Sequence, residues 1–196
     1  MNARRDEPSA AELRERVLDA LRAQLDERTF DSLSVAEIIA AAGVSRASFY
    51  FYFPSKQAAL AELVRRAVGA GHEAAEPWLS GAPDPRAALR HGIAAGADLW
   101  LANAGVLRAI VESWGSDPLL RELWLGQMAT FTAATLERIA DDPALEGVDV
   151  PALAASLTWL GERVYYLAAC GVAPFDDREV LVETLTHLWT RALGVP

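Results

Sequence analysis

The chain has 196 residues, with 18 Lys plus Arg against 27 Asp plus Glu and a formal net charge of −9. That length suits one large domain or a small one joined to a medium one, and at 52% hydrophobic residues it excludes a disordered chain. A single cysteine, Cys170, excludes an intrachain disulfide and a cysteine-based zinc site, and the acidic average argues at first sight against nucleic acid.

The first ten residues hold no apolar stretch, so no secretory leader is expected. Val17, Leu18, Leu21 and Leu25 recur at helical spacing and predict a helix over 10–28. Ser34-Val35-Ala36-Glu37 reads as a capping box that opens a helix over 34–42, and Gly43 closes it as a left-handed cap. Ser45 starts a short helix over 45–52; Pro54-Ser55 ends that one and caps the next, over 55–76. Asp84-Pro85, Asp117-Pro118, Asp149-Val150-Pro151 and Asp176-Asp177 are further start signals. They predict helices over 85–101, 103–114, 117–140, 150–171 and 176–193, with the last two separated at Gly171–Pro174. No stretch alternates with period two, so the chain is all-α, with nine helices expected. Pro151–Gly161 and Val164–Phe175 are the longest uncharged stretches near the C-terminus, and neither reaches the roughly 18–20 residues of a membrane span. No membrane partner is expected, and a soluble cytoplasmic protein is.

The charge is unevenly placed. Residues 1–66 hold 10 basic and 10 acidic side chains, whereas residues 67–196 hold 8 and 17, together with all six tryptophans. A near-neutral unit followed by an acidic, tryptophan-rich one suggests two domains, 1–54 and 55–196, with the helix over 55–76 as connector.

The segment from Leu33 to Lys56 has the layout of a helix-turn-helix: a capped helix, a tight turn at Gly43-Val44 and a second short helix. Ile38, Ile39, Val44 and Phe49 are placed to pack inward, which turns Arg46, Ala47, Ser48 and Tyr50 outward for a major groove. Arg46 suits a bidentate contact to guanine, and Ser48 a base or a phosphate. Tyr52 and Lys56, at the helix end and the next helix start, suit phosphates, and Ser34 and Ser45 at the two helix starts complete the expected DNA contacts.

That segment, with its Tyr50-Phe51-Tyr52-Phe53-Pro54-Ser55-Lys56 ending, resembles the DNA-binding domain of TetR-family transcriptional regulators. Glu122-Leu123-Trp124, Met128, Gly161-Glu162-Arg163 and His187-Leu188-Trp189 are similar to a mycobacterial branch of the same family. The resemblance implies a three-helix DNA-binding domain, a six-helix ligand-binding domain and a homodimer formed through the last two helices. A double-stranded operator and a small-molecule effector are the implied partners, and repression relieved by that effector the implied function. One departure is Ala36, where relatives often carry a polar or basic residue; base reading from the first helix of the motif is therefore not expected.

The same resemblance places Leu89, Ile93, Gly96, Trp100, Trp124, Met128, Phe131, Thr135, Thr158, Glu162, Tyr166 and Trp189 around a ligand tunnel. Relatives carry amide side chains where this chain has Thr158 and Gly161, which leaves Thr158 and Glu162 as polar hooks for an apolar or amphipathic effector. From the residues alone, Glu162 either faces a cavity or pairs with Arg163 or another helix. The helices over 150–171 and 176–193 carry broad apolar faces (Leu153, Leu157, Leu160, Val164; Val180, Leu181, Leu185, Leu188) that a second copy could cover as a four-helix bundle.

Nothing in the sequence marks catalysis. His72, His91 and His187 are isolated, Lys56 follows no glycine loop, and Cys170 ends an apolar helix as a packed thiol, so no cofactor, no metal and no enzyme are expected. Two other readings stay open: a helical carrier protein with a vestigial helix-turn-helix, and an enzyme using Glu162 as a base.

Overall fold

The computed structural model describes residues 9–80 and 82–195, with the backbone alone for residues 70–77. The segment 1–8, where no leader was expected, the side chain of His72 and residue 196 lie outside the described residues. Among the described residues the secondary structure is entirely helical. The α-helices are α1 (Ala10–Glu27), α2 (Val35–Ala42), α3 (Arg46–Tyr52), α4 (Lys56–Leu79), α5 (Pro85–Ala102), α6 (Ala104–Ser113), α7 (Pro118–Ile139), α8 (Val150–Ala169) and α9 (Arg178–Ala192). Two single 3-10 turns, Phe30–Ser32 and Pro143–Leu145, precede α2 and α8; three residues leave no periodicity to read, so the sequence does not announce them.

Side-chain caps fix most helix starts. Ser34 Oγ accepts from the Glu37 amide at 3.2 Å while Glu37 accepts from the Ser34 amide at 2.8 Å, the reciprocal box expected at α2. Ser9 and Glu12 make a second box at α1. Asp84, Asp117, Asp149 and Asp177 each accept from an amide in the first turn of α5, α7, α8 and α9. Because Asp177 rather than Asp176 is the cap, α9 begins at Arg178. Similarly, α8 stops at Ala169 rather than 171, since Gly171 takes φ +68°. Helix α4 continues past the expected end at 76 to Leu79.

One apolar cluster starts among Val17, Leu18, Leu21, Ile38 and Phe49 of α1–α3 and continues through Leu60 and Val64 of α4 to Leu107 and Ile110 of α6 and Trp124 of α7. Packing thus runs unbroken past residue 54, where a boundary was expected. A second cluster joins Leu89 and Ile93 of α5 to Leu157 and Val164 of α8 and Leu181 and Leu185 of α9. This corrects the expectation for the last two helices: Leu157, Val164, Leu181 and Leu185 are buried inside this chain. Val180 and Leu188 remain exposed, and Leu153 and Leu160 are half-buried.

Among the described residues no single helix is long and apolar enough to cross a membrane.

Candidate nucleic-acid interface and effector cavity

Helix α3 is held by its inner residues. Phe49 is fully buried and Phe53, its C-cap, is nearly so, with Arg14 of α1 lying over the Phe53 ring. Gly43 sets the angle between α2 and α3 with φ +60°, and its carbonyl accepts from Arg16 at 3.1 Å. A Cβ at Gly43 would also stand 2.6 Å from that guanidinium, so steric room and backbone conformation both ask for glycine.

The outer face of α3 carries Arg46, Ala47, Tyr50 and Phe51, all exposed, with Ser48 half-buried beside them. Arg46 stacks on the Tyr50 ring at 5.1 Å, and among the described residues it has no carboxylate partner. Helix α3 contains no acidic residue. The nearest acid on α2, Glu37, is engaged by Arg28 at 2.7 Å; that guanidinium first, then Ser34, holds its carboxyl down to about 2. Helices α2 and α3 therefore offer no unpaired carboxylate beside Arg46, despite the acidity of the chain. Phe51 is 80% exposed, a residue the sequence reading passed over. Its place four residues after Ala47 on the same helix face was the signal available.

Other expected DNA contacts are committed locally. Ser34 is held in its capping box, and Ser45 caps α3 by accepting from the Ser48 amide at 3.0 Å. Tyr52 is half-buried, its ring edge-on to Phe51. Lys56 departs furthest from expectation. Its ammonium donates to the carbonyls of Phe30 at 2.9 Å and Leu33 at 2.7 Å and lies over the Phe30 ring, so it ties the start of α4 to the 3-10 turn. Two of its three donors are thereby satisfied inside the chain.

The second candidate site is a cavity of about 170 Å³ enclosed by α4, α5, α7, α8 and α9. Eleven of the twelve residues expected around a tunnel line it, and Tyr166 is the exception. Tyr166 donates instead to Glu112 on α6 at 3.2 Å, outside the cavity, and burial, with Cys170 and Glu112 nearby, pushes its hydroxyl up to about 12. Tyr165 takes the expected place: it lines the cavity, donates to the Ile93 carbonyl at 3.0 Å and stacks on Trp100. The helical repeat was legible, because Thr158, Gly161, Glu162 and Tyr165 fall at i, i+3, i+4 and i+7 on one face of α8. Burial also raises the Tyr165 hydroxyl well above its ordinary range.

Gly96 makes room for that ring, since a Cβ there would stand 2.8 Å from Tyr165 Oη. Gly161 is open by contrast: its nearest neighbour to an added Cβ is a Tyr165 carbon at 3.7 Å. Trp100 meets Trp124 edge-on, and Trp189 meets Trp78 in the same way. Within these walls Glu162 is 4% exposed. Burial raises its carboxyl, against the opposing pull of Arg163 and the Trp124 indole. Arg163 Nε lies 3.8 Å away, too far for a hydrogen bond, and its guanidinium is outside, over the Tyr166 ring. Glu162 thus lines the cavity wall while Arg163, on the outer side, is its nearest cation.

His91 and His187 are exposed, and among the described residues no group of three or more His, Cys, Asp or Glu is placed to hold a metal.

Comparison with known proteins matches both halves of the chain. Residues 17–63 match the model described as bacterial regulatory proteins, tetR family, and residues 89–194 that of the C-terminal domain of the transcriptional regulator EthR. The chain is 31% identical over 194 residues to the HTH-type transcriptional regulator EthR of Mycolicibacterium smegmatis, covering 95% of this chain and 88% of that one. It is 28% identical over 176 residues to the protein of the same name from Mycobacterium tuberculosis, covering 86% and 81%. A crystal structure of a TetR-family regulator from Syntrophomonas wolfei superposes with a TM-score of 0.75 at 16% identity, over 96% of this chain and 98% of that one.

Proposed function

The chain belongs to the TetR family of bacterial regulatory proteins, and from that premise we propose that it is a repressor released from a two-fold symmetric operator by an apolar or amphipathic small molecule. It is a DNA-binding transcription regulator and not an enzyme. The observation that carries the operator-binding part of this reading is the outer face of α3, where Arg46 stands exposed without a carboxylate partner on a helix free of acids. Such a face meets phosphates without repulsion, and its guanidinium, held only by Tyr50 at 3.5 Å, has no ion pair to give up for the acceptor pair of guanine. Ala47 and Phe51 offer apolar surface for thymine methyl groups. Residues 1–54 are the DNA-binding unit in this reading, residues 55–196 the effector and dimer unit, and the site of action is the cytoplasm.

Homodimerisation through α8 and α9 supplies the symmetry of the operator. The support is Val180 and Leu188, two exposed apolar residues at helical spacing on α9, together with half-buried Leu153 and Leu160 of α8. Release follows if a filled cavity favours a different spacing of the two α3 helices, because a ligand shifts an equilibrium only by its difference in affinity for the two states. Two connections run from the cavity to the DNA-binding unit. Helix α4 carries Val68 on the cavity wall, and its Arg66 and Glu62 pair with Glu15 and Arg14 of α1 at 2.6 and 2.9 Å. Helix α6 rests directly on the end of α1 at Gly105.

Selection of duplexes from a random library by the purified protein tests the reading. Enrichment of one two-fold symmetric sequence is expected; retention of all sequences alike, or of none, contradicts it.

A further inference from the structure

Among the described residues lining the cavity there is one charged side chain, Glu162, and no lysine, arginine or histidine. Neither carboxyl oxygen of Glu162 completes a hydrogen bond: the Trp124 indole and Arg163 stand near enough to draw its carboxyl down somewhat, yet Arg163 Nε stays at 3.8 Å and Trp124 Nε1 is itself without a partner. A buried carboxyl with open lone pairs is costly, and natural interiors rarely leave one without a reason. The remaining walls are aromatic faces and aliphatic carbon: Trp100 and Tyr165 are stacked 6.2 Å apart, and Met128 and Phe131 lie nearby.

These features together select a ligand. An anionic head, such as a fatty acid carboxylate, would meet Glu162 with no positive partner. A purely apolar molecule would leave the carboxyl unpaired and more deeply desolvated. A protonated amine answers both problems: it gives N–H donors to the open oxygens, neutralises the buried charge, and is attracted by the surrounding ring faces. The acidic surplus of residues 67–196, with 17 acidic against 8 basic side chains, also raises the local concentration of cations. The volume of about 170 Å³ is close to that of an engineered cavity of ~150 Å³ that takes benzene, so one ring with a short chain fits.

The geometry points to an apolar amine as the effector class, its ammonium on Glu162 and its hydrocarbon body against Trp100, Met128 and Phe131. This rests on the reading of the cavity as the effector site. The tryptophans in the wall allow binding to be followed by intrinsic fluorescence, with 4-phenylbutylamine, 4-phenylbutan-1-ol and 4-phenylbutanoate as probes of matched length. With the unaltered protein the amine should bind at least tenfold more tightly than the alcohol, and the acid most weakly. Glu162→Gln should erase the amine's advantage and leave the alcohol unchanged. Gly161→Leu, which places carbon where an added Cβ has room, should abolish binding of amine and alcohol alike. If the alcohol binds, Gly161→Leu blocks it, and the amine is no tighter than the alcohol, the amine class is wrong and the effector cavity stands. An amine preference that survives Glu162→Gln overturns the assignment to Glu162. If no probe binds, or if Gly161→Leu changes the binding of none of them, the effector cavity fails and the amine assignment with it.

Discussion

Two residues show how far a side chain's role depends on what lies opposite it. Lys56 follows an aromatic run in the sequence and is the chain's only lysine, which suggested a phosphate contact. Its partners, the carbonyls of Phe30 and Leu33, are more than twenty positions away and face it only because the 3-10 turn presents them. Lys56→Ala should therefore lower the stability of the protein by about 2 kcal/mol, in line with the loss of hydrogen bonds to a charged group. Chemical denaturation measures it, and a loss of DNA affinity with unchanged stability would restore the phosphate role. Glu162 has the opposite sign. Its folded carboxyl is raised by burial, so its protonated form is favoured in the folded state and stability is lost as pH rises from the ordinary carboxylate range through that raised value. Glu162→Gln in the ligand-free protein should accordingly gain about 1 kcal/mol near neutrality, about 2–4 °C in Tm, and the gain should vanish below the ordinary carboxylate range. An equal Tm for both proteins at neutral pH would show that Arg163 and Trp124 already compensate the charge.

Among the elements, starts were more legible than ends. An aspartate or serine with a free oxygen announces a helix start locally, and the capped starts of α2, α5, α7 and α8 fall where those residues predict. Ends depend on tertiary support, which is why α4 outruns its expected end and α8 falls short. The apolar stripes of α8 and α9 were visible, but which neighbour covers them was not: much of each faces inward because α5 packs on both. Tyr165 and Tyr166 show the same limit at finer grain, since adjacent tyrosines differ by one step of a helix and only one faces the cavity. The contact of α6 with α1 was illegible in sequence and carries a prediction. A Cβ at Gly105 would lie 2.7 Å from the carbonyl carbon and oxygen of Leu25, backbone atoms that cannot turn aside. Gly105→Ala should cost about 1–3 kcal/mol by overpacking and separate the two helices, so a cavity ligand should alter DNA affinity less than in the unaltered protein. Unaltered stability together with unaltered coupling would remove α6 from the path.

At the scale of the whole molecule, a net charge of −9 describes no surface that DNA would meet. The surplus lies after residue 66, where it keeps an apolar domain dispersed and repels nonspecific duplex, while α3 itself carries no acid. The proposed repression also needs two copies. Leu188→Glu, placing charge on an exposed apolar position of α9, should halve the mass seen by native mass spectrometry and weaken operator binding with it. A dimer that persists would move the interface off α9. The role of α3 is tested most directly by titrating a selected duplex with the unaltered protein and with Arg46→Ala, by fluorescence anisotropy in excess nonspecific competitor. The expected result is a loss of about 1–3 kcal/mol of affinity, with relaxed preference at one base position in each half-site. Arg46→Ala protein that binds the same sequence with the same affinity would contradict it.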